Sequence, residues 1–97
     1  MVRIVKLSFH PEKIEAFLKH FETVKDKINT FPGCQGMQLL LDKNENGVVF
    51  TYSQWENDEA LENYRNSALF TSIWPTVKQW FNDKPQAWSN DIYFNGF

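Results

Sequence analysis

Three observations predict an α+β fold, with one antiparallel sheet and helices on one of its faces. Short β-branched segments alternate apolar and polar residues, beginning with Val2 to Phe9. A longer segment repeats apolar residues every three or four positions, the period of a helix with one buried stripe. A hairpin signal, Asn44-Glu45-Asn46-Gly47, joins two strand-like segments directly.

Taken in order, Val2 to Phe9 is a strand that ends at His10-Pro11. Proline suits a first helical position, and Glu12 suits the positive end of the helix dipole. From there Ile14, Phe17, Leu18, Phe21, Val24 and Ile28 form one apolar stripe, which predicts a helix to about Thr30. Lys13, Glu15, Lys19, Glu22 and Asp26 fall mostly on its other side. Phe31-Pro32-Gly33 breaks the helix. Cys34 to Lys43 reads as the second strand and Val48 to Trp55 as the third, with Asn46-Gly47 expected to supply the positive φ angles of the turn. Asn57 or Asp58 can cap the next helix, which carries Leu61, Tyr64 and Arg65. A bend is expected near Asn66-Ser67, where Ser67 can cap a new turn. Leu69, Phe70, Ile73, Trp74, Val77, Trp80 and Phe81 continue at helical spacing. Pro75, inside this run, either kinks the helix or opens a separate short one. Asp83-Lys84-Pro85 ends the run, and Ala87 to Phe94 is the last strand, followed by the tail Asn95-Gly96-Phe97. The order is β-α-β-β-α-β, the ferredoxin-like plan of a four-stranded antiparallel sheet with helices on one face.

The 97 residues suffice for one domain, 1–97, without linker, repeat or low-complexity stretch. Ten Lys and Arg scattered among twelve acids, for a net charge of -2, do not build a phosphate-binding surface, so nucleic acid is not an expected partner. No apolar run approaches the roughly 20 residues of a membrane span. The start, Met1 to Phe9, reads as strand and not as a secretion signal. One cysteine, Cys34, cannot form an internal disulfide, and a cytoplasmic location is the expectation.

The strands also predict a partner. Val5, Leu7 and Phe9 lie on one face of the first strand and Val2 and Ile4 on the other, while Leu39-Leu40-Leu41 is apolar on both. The last strand offers Trp88, Ile92 and Phe94 on one side and Tyr93 on the other. Helices on one face leave the second apolar face bare. A second copy, sheet against sheet about a twofold axis, would cover it and make a dimeric α+β barrel.

Familiar catalytic signatures are absent from the sequence. It has no GxGxxG or P-loop, no serine in a nucleophile-elbow pattern, and too few cysteines and histidines for a structural zinc site. What remains is an aromatic-rich space between helices and sheet, suited to a flat hydrophobic ligand. Three features covering nearly the whole chain now matter together. They are the strand-to-helix entry Val2 to Phe21, the Pro32-Gly33 break, and the segment Trp55…Glu59-Ala60-Leu61…Ser67-x-x-Phe70. In these the chain resembles the antibiotic biosynthesis monooxygenase (ABM) family of small dimeric proteins.

The resemblance implies oxidation of a phenol or quinol without cofactor or metal. The substrate loses a proton, its carbanion-like anion passes an electron to dioxygen, and the radicals combine to a peroxide that collapses to a quinone. The family's more usual His-x-x-Ser-x-His-Phe reads here Tyr64-Arg65-Asn66-Ser67-Ala68-Leu69-Phe70, so Ser67 and Phe70 are kept and both histidines are replaced. The haem-degrading branch uses an Asn, a Trp and a His at positions that fall on Val5, Tyr64 and Trp74; none matches, which disfavours haem degradation.

Four residues are the candidate catalytic set. Tyr64 can donate to a phenolate or quinone oxygen, against the plainer reading of a ring packed on the core with its hydroxyl at the surface. Trp74 is a pocket wall or donor, or a plain core residue beside Pro75. His20, at the edge of the first helix's stripe, is a candidate base because imidazole exchanges a proton near neutral pH; a solvated or satisfied boundary histidine is the alternative. Asn90 is expected to point into the cavity from the last strand. Arg65 reads as a solvated helix residue that can pair with an acidic substrate, Trp55 as a structural residue closing the core, and Cys34 as a small strand residue. Two functions from different classes follow: a cofactor-independent monooxygenase of a small aromatic phenol or quinol, or a non-catalytic dimeric module that binds a small hydrophobic ligand.

Overall fold

The computed structural model describes residues 1–97. Strand β1 (Val2–Ser8) leads through a 3-10 turn (Pro11–Lys13) into α1 (Ile14–Asn29); β2 (Cys34–Leu41) and β3 (Val48–Trp55) form the hairpin; α2 (Asp58–Arg65) and α3 (Ala68–Lys78) precede β4 (Gln86–Asn90). The four strands pair antiparallel in the order β2-β3-β1-β4, as expected of the ferredoxin-like plan. In a sheet with period-two side chains, one face must then carry the core. That face holds Leu7 and Val49, which pack with Phe9 against Phe17, Val24 and Ile28 of α1 and Ile73 and Val77 of α3.

The caps read from the sequence are those of the structure. The Asn57 side chain accepts from Ala60 N at 2.9 Å and opens α2. The Ser67 hydroxyl accepts from Phe70 N at 3.1 Å and opens α3, so the second helical stretch is two helices meeting at Asn66-Ser67. Each cap satisfies a backbone N–H that the first turn cannot pair.

Several boundaries differ from expectation, each for a local reason. The first helix begins as a 3-10 turn at Pro11 and widens into α1 only from Ile14. The second strand stops at Leu41 and not Lys43, because Asp42 Oδ2 accepts from Asn44 N and Glu45 N at 3.1 and 2.7 Å and turns the chain. In that turn only Gly47 takes a positive φ, 97°; Asn46 does not. A Cβ at Gly47 would meet Phe9 O at 2.6 Å, so glycine is also needed for the approach of the two chains. The helix does not restart at Pro75: α3 runs through it and ends at Lys78. Trp80 and Phe81 therefore lie beyond the helix, and Phe81 bridges to Phe9. The last strand ends at Asn90, where its pairing with Val2 ends, and not at Phe94. Residues 91–97 are irregular and exposed.

The opposite face of the sheet is apolar and open. Ile4 pairs with Tyr52 and Trp88, and Leu40 with Phe50. Trp88 is 45% exposed and Leu40 44%. Exposed aromatic and aliphatic side chains also continue into the tail at Ile92, Tyr93, Phe94 and Phe97.

Gly33 joins the first half of the fold to α2. It has φ 87°, its carbonyl accepts from Glu56 N at 2.8 Å, and a Cβ here would run into the Ala60 side chain. Gly33→Ala combines left-handed strain with overpacking and should lower unfolding free energy by roughly 2–4 kcal/mol. Urea denaturation followed by tryptophan fluorescence measures this, and an unchanged midpoint would refute it.

Candidate active site between the helices and the sheet

Trp55 frames the site. It is 1% exposed, and its indole N–H donates to Ser53 Oγ at 2.9 Å, so a large ring is buried without an orphaned donor. Its ring stacks on Tyr64 with centroids 5.1 Å apart, and Phe31 meets both rings edge-on. Tyr64 in turn meets Phe70 edge-on at 5.3 Å, and Phe70 stacks on Trp74 at 5.5 Å. The i, i+4 spacing of Phe70 and Trp74 on α3 puts both on one face, and the break at Ser67 turns that face toward Tyr64.

These rings wall one side of a cavity of about 360 Å³ between helices and sheet. The sheet contributes Arg3, Val5 and Leu7 from β1, Thr51 and Ser53 from β3, and Ala87 from β4; α1 contributes Phe17, His20, Phe21 and Val24. The volume suits a small organic ligand, and the lining is mostly hydrophobic with few polar groups.

Tyr64, Trp74 and His20 all border this cavity, so three of the four candidates come together. Tyr64 is half-buried. Burial first, and the Cys34 thiol second, push its phenol up from 10.0 to about 12, which keeps it a neutral donor at physiological pH. No protein group pairs with its hydroxyl, whereas its backbone carbonyl accepts from the Ser67 hydroxyl at 2.6 Å. His20 lies edge-on to Trp80 with centroids 6.2 Å apart, and its Nε2 is enclosed without a hydrogen-bond partner. No protein group satisfies that nitrogen.

Asn90 is a correction. It pairs with Val2, in the same strand phase as Trp88 opposite Ile4, and so belongs to the open face. The residues of β4 and β1 that face the cavity are in the other phase, Ala87 opposite Val5. At the three positions used by haem-degrading relatives, Val5, Tyr64 and Trp74 all line the cavity and none brings an imidazole. No three His, Cys, Asp or Glu side chains converge on a possible metal position.

Arg3 was missed in the sequence, although a signal was present. It is in phase with Val5, Leu7 and Phe9, so a charge sits on the core-facing side of β1. Its Nη1 donates to Ser89 Oγ at 3.0 Å. Thr51 was likewise in phase with Val49 and Trp55.

The model of the family described as antibiotic biosynthesis monooxygenase (ABM) matches residues 1–75. No curated relative matches at a significant level. Among solved structures, an antibiotic biosynthesis monooxygenase superposes with a TM-score of 0.86 at 19% identity, covering 95% of this chain and 98% of that one. A protein from Mycobacterium tuberculosis superposes with a TM-score of 0.85 at 12% identity, covering 99% and 97%. A conserved protein from Methanosarcina mazei Go1 gives 0.82 at 17% identity, covering 89% and 86%. At such identities the superpositions establish the fold alone; the family match spans most of the sequence, strands β1 to β3 and the helices that enclose the cavity. The chain belongs to the ABM family.

Proposed function

We propose that this protein is a cofactor-independent monooxygenase that oxidises a small phenol or quinol in the cavity between its helices and sheet. The observation that carries the reading is the pairing, in an ABM chain, of a mostly apolar cavity of about 360 Å³ with the unpaired phenol of Tyr64 on its wall. A flat substrate fits against the Tyr64, Phe70 and Trp74 rings. The apolar lining excludes water from the anion and strengthens the donor that faces it.

His20 is the base in this reading. Its enclosed Nε2 has no partner, an arrangement that costs roughly 1–3 kcal/mol and that a substrate hydroxyl would relieve once the imidazole turns toward the cavity. With the proton on His20, the substrate anion reduces dioxygen by one electron. The two radicals join in a carbon–oxygen bond, and the peroxide takes back a proton. Loss of water from a peroxide at a ring CH₂ carbon leaves a carbonyl there, so one oxygen atom enters the product and the other leaves as water. Tyr64 donates to the substrate oxygen on which negative charge gathers.

The protein acts in the cytoplasm as a homodimer closed through the open sheet face in this proposal. Ile4, Phe50, Tyr52 and Trp88 share that face, and a second copy about a twofold axis would bury them. A second reading is favoured by one observation: Tyr64 and Leu69 stand where the usual histidines would be, and Leu69 packs against the core. In that reading the cavity binds a hydrophobic molecule without turning it over.

Oxygen-electrode measurements with anthrone-like phenols and quinols separate the two. The oxygenase should consume oxygen, with kcat lowered roughly tenfold to a hundredfold in Tyr64→Phe or His20→Gln, and by less in Trp74→Phe. Saturable binding without oxygen uptake would establish the binding module. Uptake untouched by all three substitutions would remove the site assignment.

Sedimentation velocity tests the assembly: the wild type should sediment as a dimer and Trp88→Glu as a monomer. A monomeric wild type would refute the sheet-to-sheet pairing.

The raised Tyr64 pKa has a consequence for stability. The folded state holds this proton more tightly than the unfolded chain, so the associated stability is complete below pH 10 and is lost as the pH rises toward about 12. Urea midpoints should fall over this interval more steeply in the wild type than in Tyr64→Phe. Parallel curves would show that Tyr64 titrates no differently when folded.

A further inference from the structure

The charged groups at the cavity are all of one sign. The chain has two arginines and eight lysines among its ten Lys and Arg residues; both arginines line the cavity and no lysine does. None of the twelve acidic residues lines it either, although the net charge of the chain is -2. A guanidinium at a mostly apolar cavity needs a polar partner.

The two arginines are also held differently from a structural ion pair. Arg3 projects from the core-facing side of β1, and its one hydrogen bond is to a neutral group, Ser89 Oγ. A guanidinium has five N–H donors, so most of the fork stays free. Partial burial disfavours the charged Arg3 fork most, repulsion from Arg65 adds to that, and Glu62 only partly offsets the two. Arg65 has a single acidic contact, Glu62 at 3.6 Å, with both side chains about half exposed or more. Such a solvated pair is worth little and is readily exchanged for a better anion. Arg65 is about half exposed, so the pair has access to solvent.

We propose that the substrate is an aromatic acid: a planar ring system that enters the cavity, carrying a carboxylate that Arg3 and Arg65 hold at its mouth. This rests on the cavity being the ligand site, as proposed above. Ser89 orients the Arg3 fork, so Arg3 presents its remaining donors as a planar pair, the geometry a carboxylate matches. An anion between the arginines relieves their mutual repulsion, and the aromatic part lies against the apolar lining of the cavity.

Titration of the full-length protein with anthracene-2-carboxylate and its neutral isostere anthracene-2-carboxamide tests this, with ligand fluorescence as the readout. The carboxylate should bind about tenfold more tightly or better in low salt, the advantage of a charge-assisted pair. That ratio should shrink toward one in Arg3→Gln with Arg65→Gln. If Arg3→Gln does not fold, Arg65→Gln alone, on an exposed helix surface, must still reduce the ratio severalfold. Equal binding of acid and amide by the wild type would overturn the aromatic-acid proposal and leave the cavity reading intact. A carboxylate preference that survives both substitutions would overturn it too, by placing the anion elsewhere. If neither compound binds, both this inference and the cavity reading fail.

Discussion

Burial of the Trp55 ring is the contact on which the rest of the site depends. One residue at the end of β3 reaches three parts of the chain: the start of β1, where its backbone N donates to Met1 O at 2.8 Å and the Met1 amine donates to its backbone O at 3.1 Å; the loop before β2, through the ring contact with Phe31; and α2, through the stack on Tyr64. Because its own N–H is satisfied by Ser53 from the same strand, the ring can be enclosed without leaving a polar orphan. Tyr64 is thereby held against a rigid surface. Arg3, two residues from Met1, is held in the adjacent strand at the same end of the sheet.

Close packing elsewhere sets the cavity's limits. The main core is filled by side chains of α1 and α3 over β1 and β3, from Phe9 and Phe17 to Ile73 and Val77. Toward α2 the rings meet edge-on or offset, as ring quadrupoles prefer, and such contacts leave space that aliphatic packing would close. Gly33 and Ala60 allow the loop before β2 to approach α2 closely. The outcome is a mostly apolar chamber with a neutral phenol, an orphaned imidazole nitrogen and two guanidinium groups on its lining. The orphaned imidazole nitrogen and the partly buried Arg3 guanidinium each carry a desolvation cost, while Arg65 stays about half exposed.

The two faces of the sheet divide the labour. One supports the cavity; the other, with Ile4, Leu40, Phe50, Tyr52 and Trp88, is apolar enough to favour association. Since β1 and β3 contribute to both faces, pairing through the open one would stiffen the strands that carry Arg3 and Thr51. In the proposed dimer, self-association and ligand binding would be linked through this shared backbone, without any residue belonging to both.

Local chemistry was legible in the sequence. The order of elements, the apolar stripe of α1, the caps at Asn57 and Ser67 and the two-faced pattern of β1 all arise from interactions within a few residues, so the sequence by itself determines them. So does the alignment of Phe70 and Trp74 on one face of α3, since they stand four residues apart; the approach of Tyr64 to them does not, because it lies on the other side of the break at Ser67. What only the tertiary structure decided depends on partners distant in the chain. The phase of β4 is set by its pairing with β1, which sends Asn90 to the open face and ends the strand where Val2 ends the ladder. Enclosure of His20 depends on Trp80, and the meaning of Arg3 depends on Ser89 and Arg65, 86 and 62 positions away. A strand pattern specifies which side chains share a face; which face closes over a cavity, and which charges meet there, is settled by how the helices and the neighbouring strands pack upon it.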